Sequence, residues 1–198
     1  MDLPDKVNLT RCDTGVEELA LIKTMTREDA KTYIDGQWWE GLGSTLTDPN
    51  EEPDRHWRWR EILSTYQNKP FFRSKCVWTK DEAIQAAILL RVDALSALDP
   101  GERAVFVDRL AAAPKNRHKL MQNPVFRGAG TGLMHHSIAL SYSLGYKGRV
   151  NLFAVANEEF YTQLGFKPTE YTQNEDVLLE LPTTTAMRIL KERGLIDG

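Results

Sequence analysis

Residues 127–145 read Arg127-Gly128-Ala129-Gly130-Thr131-Gly132-Leu133-Met134-His135-His136-Ser137-Ile138-Ala139-Leu140-Ser141-Tyr142-Ser143-Leu144-Gly145. Three glycines at alternate positions run directly into a helical pattern, in which Leu133, Leu140 and Leu144 lie near one face with Met134 and Ile138 beside it. Gly145 closes the pattern as a C-cap. Glycine lets the backbone aim successive amides at one point, and a helix N-terminus adds positive potential, so the arrangement suits an anion. Arg127 could add a charge-assisted bond to a phosphate. The glycines by themselves weigh phosphate binding about evenly against a structural loop. Two common nucleotide motifs do not fit. A dinucleotide fingerprint needs glycine where Leu133 stands and a strand immediately upstream, whereas the preceding strand pattern ends near Ala113. A Walker A loop needs a Gly-Lys-Ser/Thr ending that is missing.

Working outward, Val150–Val155 is a nearly continuous apolar run, the pattern of a strand buried on both faces. A short helix, Glu158–Leu164, follows with Asn157 as its cap and Gly165 behind it. Phe166–Thr172 and Val177–Leu181 read as strands, and Ala186–Arg193 as a final helix stopped by Gly194. Upstream, Ala104–Ala112 is a strand between the turn Asp99-Pro100-Gly101 and Pro114. Phe72–Trp78 alternates and, with Ala83–Val92, suggests an antiparallel hairpin. Glu18–Thr24 reads as the first strand. Thr26-Arg27-Glu28-Asp29 has the form of a capping box for a helix that fades by Gly36. From Gly36 to Pro53 the chain reads as a loop, and Asp54 is placed to cap a second helix with Trp59, Ile62, Leu63 and Tyr66 on one face. Helices and strands alternate without strict βαβ order, which points to a mixed α/β class in one domain spanning residues 1–198.

With Gly132 and its surroundings in place, a second motif makes the pattern specific. Arg127, Gly130 and Gly132 match the Arg/Gln-x-x-Gly-x-Gly/Ala motif of the GNAT acetyltransferases. Asn157-Glu158-Glu159-Phe160-Tyr161-Thr162-Gln163-Leu164-Gly165-Phe166 resembles the Asn…Phe-Tyr-x-x-Leu-Gly-Phe signature of the same superfamily. Asp108–Pro114 is similar to the end of the strand that precedes the loop. The resemblance is good over about residues 103–169, and upstream it extends only to the order of elements. It implies a GNAT-like fold: a mixed, mostly antiparallel sheet with splayed central strands, flanked by helices.

The resemblance also implies an acetyl-CoA-dependent N-acetyltransferase working by direct transfer in a ternary complex. The amides from Gly128 through Ala129, Gly130 and Thr131 to Gly132, with Leu133, would then hold the CoA pyrophosphate beside Arg127. Leu110, Ala111 and Ala112 would pair with the pantetheine, one amide polarising the thioester carbonyl. Asn157 would touch the pantetheine. Tyr161 would protonate the departing thiolate as general acid. On the residues alone, an aromatic between Phe160 and Leu164 reads as core packing, and the resemblance reverses that order. Asp93, Glu102 and Asp108 lie on or beside central strands, where a solvated carboxylate is the plainer reading. His135 and His136 point about 100° apart on their helix and do not easily address one site.

For the acceptor, a small-molecule amine is the first reading. A protein lysine, an aminoacyl-tRNA amine and a non-catalytic acyl-CoA-binding module remain as alternatives. Trp38, Trp39, Trp57 and Trp59 surround an acidic stretch, Asp48, Glu51, Glu52 and Asp54, which could suit a cationic amine. The plainer reading has the tryptophans anchoring a loop. Net charge is −3 among 198 residues, which lowers the weight on a nucleic-acid partner. No run approaches the roughly 18 apolar residues of a membrane span. Two isolated cysteines, Cys12 and Cys76, without ligand spacing, imply neither a metal site nor a disulfide framework and fit a cytoplasmic setting. Oligomeric state is not readable from the sequence; a homodimer is common among similar proteins, which is analogy alone.

Overall fold

The computed structural model describes residues 3–40, 52–66, 68–80 and 83–197. In chain order the strands are β1 (Lys6–Arg11), β2 (Glu17–Thr24), β3 (Phe72–Trp78), β4 (Ile84–Leu95), β5 (Arg103–Ala112), β6 (Phe126–Arg127), β7 (Val150–Phe153), β8 (Lys167–Gln173) and β9 (Asp176–Glu180). The helices are α1 (Arg27–Ala30), continued by a π-helical turn at Lys31–Asp35, α2 (Trp59–Tyr66), α3 (Ala129–Ser143), α4 (Glu158–Gln163) and α5 (Thr183–Glu192). The strands are hydrogen-bonded in the order β6-β1-β2-β3-β4-β5-β7-β9-β8. The pairs β1–β2, β1–β6, β2–β3, β7–β9 and β8–β9 are antiparallel, whereas β5 and β7 run parallel. The expected mixed, mostly antiparallel sheet with flanking helices is therefore present.

The described residues form two compact units. One holds 5–89 and 109–133. The other holds 3–4, 90–108 and 134–197. Strands β4 and β5 and helix α3 each contribute residues to both.

In the first unit, local chemistry begins α1 as its sequence predicts. Thr26 Oγ1 accepts from the Asp29 N–H at 3.1 Å, and Asp29 Oδ2 accepts from the Thr26 N–H at 2.9 Å, a reciprocal capping box. The chain then buries Ala30, Ile34 and Trp38 against Trp59 and Leu63 of α2 and against Cys76, Ile84, Ala87 and Leu89. Burial pushes the Cys76 thiol up to about 12, with Asp29 adding to the effect, so the thiolate is not formed at neutral pH.

Two expectations change here. Asp54 does not cap α2; it lies in a 3-10 turn, Pro53–His56. The start of α2 is capped from a distance, the Trp59 and Arg60 N–H groups donating to the two carboxylate oxygens of Asp35 at 2.8 and 2.9 Å. The stretch expected as a loop, Gly36–Pro53, includes 41–51, outside the described residues, and with them Asp48 and Glu51. Strand β1 is an addition. Only Leu9 in it is buried, so its composition carries little strand signal, and its partners β2 and β6 supply the order.

In the second unit, α3 is buried nearly all round. Met134, Ile138 and Ala139 are as inaccessible as Leu133 is, while Leu144, expected on the buried face, lies beyond the helix and is 40% exposed. Gly145 ends α3 as predicted. At φ 83° it lets its own N–H reach Tyr142 C=O and the Tyr146 N–H reach Ser141 C=O, both at 2.9 Å, a Schellman closure. Strand β7 stops at Phe153, short of the predicted Val155, which is 63% exposed. Glu180 on β9 is fully buried and accepts from Ser96 Oγ, the Ala97 N–H and Asn151 Nδ2, so its charge is met by donors.

Candidate active site

Gly128 makes the turn into α3. Its φ of 98° belongs to the left-handed region that a side chain resists. The strand before it is fixed from two sides: Phe126 and Arg127 pair with Arg11 and Thr10 of β1, and the Phe126 N–H donates to Asn116 Oδ1 at 3.1 Å. Asn116 in turn donates to Gln85 Oε1 at 2.9 Å, and Gln85 donates to Thr79 Oγ1 at 3.0 Å. This chain of buried amides and a hydroxyl holds the approach to the loop rigidly.

Helix α3 then begins inside the glycine run. Gly132 donates to the Gly128 carbonyl at 2.8 Å. The N–H groups of Ala129, Gly130 and Thr131, one turn earlier, have no helical acceptor. Three amides at the N-terminus of a 15-residue helix, with exposed Arg127 next to them, form a concentrated donor site for an anion. Gly132 is needed for another reason: a Cβ there would meet Val7 Cγ2 of β1 at 2.6 Å. Sequence reasoning missed Val7, because only the fold places it beside the helix. Leu133 is fully buried.

Strand β5 carries the second predicted group, with Ala111 buried and Leu110 and Ala112 half-buried. In its other half, the register with β7 comprises two pairs, Val105↔Val150 and Phe106↔Asn151, although β5 continues to Ala112 and β7 to Phe153. Val105 donates its N–H to Arg149 at 3.1 Å, and Ala113, just past the end of the strand, donates to Gln85 of β4 at 2.9 Å.

The end of β5 is gripped by Arg117, a residue the motifs do not mark. Its Nε and Nη2 both donate to the Ala112 carbonyl, at 2.9 and 2.6 Å. Nη1 donates to Glu52 Oε2 at 2.6 Å and Asp54 Oδ1 at 2.7 Å, and Nη2 donates to Asp54 Oδ2. Burial works against this cation, but Asp54 and Glu52 outweigh it and hold the guanidinium more firmly charged than usual.

The tryptophan cluster divides. Trp38 and Trp59 are core residues, and Trp38 Nε1 donates to the Ile84 carbonyl at 3.1 Å. Trp39 lies under Arg55 and Arg117, at 5.5 and 5.4 Å, and Trp57 under Arg109 at 5.0 Å. The cations on these faces are the protein's own, and Glu52 and Asp54 are held by Arg117. A small cleft of about 180 Å³ beside Trp39 and Trp57 also contains Asp35 and Asp54, both engaged. A larger cleft of about 470 Å³ lies at the end of β5, lined by Ala113, Tyr33, Trp78, Glu40, Lys80 and Lys115 among others.

In the other unit, Asn157 occupies the position before α4 as expected, but not through its side chain. It makes no side-chain cap bond and adopts φ 58°, a left-handed turn that asparagine tolerates better than most residues. Tyr161 on α4 is half-buried, edge-on to Phe160 at 5.0 Å and to Phe166 at 5.9 Å. Burial pushes its phenol up to about 12, so it keeps its proton at neutral pH. The weaker candidates have structural duties. Glu102 pairs with Arg149 at 3.2 Å and Asp93 with Arg91 at 3.4 Å. Nδ1 of buried His136 is 2.9 Å from the Pro4 carbonyl and therefore donates to it. His135 is pushed down to about 4 by burial and by Arg193, which leaves it uncharged and a weak base.

No family model matches the sequence, and no curated protein matches it in sequence. Solved structures do match in fold. A histone acetyltransferase HPA2 and related acetyltransferase from Corynebacterium glutamicum is 15% identical, covering 82% of this chain and 96% of that one, with a TM-score of 0.53. A mutant AtaT toxin, bound to the C-terminus of the antitoxin AtaR and acetyl-CoA, is 18% identical over 86% of this chain and 98% of that one, at 0.57. Apo FdhC, a nucleotide-linked sugar GNAT, is 8% identical over 98% of each chain, also at 0.57. Likeness at such low identity speaks for architecture: the chain has the GNAT acetyltransferase fold.

Proposed function

We propose that this chain, built on the GNAT fold, is an acetyl-CoA-dependent N-acetyltransferase acting on the amine of a small molecule. The observation that carries the reading is the start of α3, where a left-handed Gly128 turns the chain into the helix and the Ala129, Gly130 and Thr131 amides have no helical acceptor. That donor set fits a pyrophosphate, with Arg127 beside it. The Gly132 amide, already bonded to Gly128, serves the helix. The amides at Leu110–Ala112 would align the thioester, at the end of a strand whose Ala112 carbonyl Arg117 holds. Asn157, exposed and without a cap bond, is the residue to meet the pantetheine.

In the transfer, the neutral amine nitrogen bonds to the acetyl carbonyl carbon as the carbon–sulfur bond breaks. Tyr161 gives its phenolic proton to the sulfur, the amine proton passes to water, and the phenolate recovers a proton from solvent. The products are an N-acetyl amide and CoA thiol.

The test pairs acetyl-CoA binding by calorimetry with CoA release over a panel of amines. Amine-dependent release is expected, falling about 10²–10⁴-fold in Tyr161→Phe with acetyl-CoA binding retained. Binding without release on any amine would instead favour an acyl-CoA-sensing module. Failure to bind acetyl-CoA would remove the reading altogether.

A further inference from the structure

We infer that the side chain of Asn116 sets the spacing between the two halves of the proposed acetyl-CoA site, and so decides whether one donor molecule can occupy both at once. This rests on the transferase reading above and adds a positioning residue to it. The two halves lie in the same compact unit. One is the end of β5, Leu110–Ala112, proposed to align the thioester. The other is the start of α3, proposed to hold the pyrophosphate. Asn116 stands between them in the chain, in a 3-10 turn at Pro114–Asn116.

Its orientation is fixed by groups that cannot exchange roles. The Phe126 N–H only donates, so the atom 3.1 Å from it is Asn116 Oδ1. The Gln85 carbonyl only accepts, so Asn116 Nδ2 faces it at 3.3 Å and reaches Gln85 Oε1 at 2.9 Å. Each contact belongs to a different half. Phe126 immediately precedes Arg127 and the Gly128 turn. The same Gln85 carbonyl accepts the Ala113 N–H, directly after Ala112, at 2.9 Å. Asn116, Gln85 and Phe126 are all buried, which shields these bonds from water. The Val125 N–H also bonds the Lys115 carbonyl at 3.0 Å, but a single bond is a pivot, and Asn116 supplies the further points that fix the angle. Without its side chain each half stays whole: β6 keeps its pairs with β1, Gly128 keeps its turn, and Arg117 keeps its grip on Ala112. What is lost is the register between them. A donor anchored by its pyrophosphate and reacting at its thioester gains from holding both only when their spacing matches its own length.

The test separates the linked donor from its parts. The probes are acetyl-CoA, S-acetylpantetheine and adenosine 3′-phosphate 5′-diphosphate, each titrated by NMR to millimolar concentration. Two variants are compared with the parent. Asn116→Asp keeps the shape and the bond from Phe126 but sets an acceptor against the Gln85 carbonyl and Oε1. Asn116→Ala removes both contacts. With folding checked by circular dichroism, each fragment should bind within about twofold of the parent, and acetyl-CoA about tenfold more weakly. A residue that only supports the fold would not move this split between the linked donor and its fragments. Unchanged acetyl-CoA affinity in the folded variants, or a loss shared equally by the fragments, would overturn the inference and leave the transferase reading standing. So would a parent that binds acetyl-CoA no more tightly than its better fragment. A parent that binds no acetyl-CoA at all would sink the transferase reading itself.

Discussion

A methyl group added at Gly132 would lie 2.6 Å from Cγ2 of Val7 and 3.1 Å from its Cβ. The third glycine of the loop is thus fixed by the approach of β1 to α3, independently of any ligand. Gly132→Ala should destabilise the protein by about 1–3 kcal/mol, the range for overpacking a tight contact. Val7→Ala in the same chain should recover part of that loss. Urea denaturation of the two single variants and the double variant measures the coupling, and strict additivity would contradict the contact.

Arg117 joins the end of β5 to the segment before α2 with one buried guanidinium. Its removal leaves Asp54, 9% exposed, without its cation. Arg117→Ala should cost about 3–5 kcal/mol. Arg117→Lys should recover little of this, since a point charge cannot reproduce a forked donor that bonds Asp54 through two nitrogens and Ala112 through two. Thermal and chemical unfolding of the two variants would check both statements.

For Tyr161, the folded value of about 12 lies above the ordinary 10.0. The folded protein therefore holds the phenolic proton more tightly than the unfolded chain does. The stability linked to this group is fully present below about pH 10 and declines as pH rises from there through about 12. Tyrosinate absorbance of the native protein minus that of Tyr161→Phe should show one group titrating near 12. A difference curve centred near 10 would contradict the burial.

His135 has the opposite sign of shift to a histidine that gains a partner. Its folded value of about 4 lies below 6.5, so the unfolded chain binds the proton more tightly. Its contribution is present above about pH 6.5 and is lost as pH falls toward 4. His135→Gln should flatten the stability profile across that interval. Denaturation midpoints at pH 4.5 and 7 for the variant and its parent provide the comparison.

Much of the fold could be read wherever the controlling contacts are local. Thr26 and Asp29 are one helical turn apart, and Gly145 closes α3 within a few residues, so their residue types fix the geometry. Gly128 to Gly132 identified the loop for the same reason. What escaped was remote. Asp54 follows a proline and has the look of a cap, yet its partner is Arg117, across 63 positions of chain. Asp35, inside a helical pattern, gave no sign that it would begin α2. Strand β1 has one buried side chain and acquires its identity from two neighbouring strands. The tryptophans were ambiguous because their composition fits a binding wall and a packed core equally well, and only the arginines over Trp39 and Trp57 separate the two. The motifs proposed residues on α3, β5 and α4 as a site, but gave no sign of Val7 beside Gly132 of α3 or of Arg117 on the Ala112 carbonyl of β5.

The carboxylate of Asp35 makes the last turn of one helix the first support of another. The α1 segment has four residues and α2 eight, each below the length at which an isolated helix persists in water. Neither is expected to survive the melting of the other, so residues 27–35 and 59–66 should open as a single cooperative unit. In hydrogen exchange, the Trp59 and Arg60 amides would then register the loss of a segment 24 positions upstream.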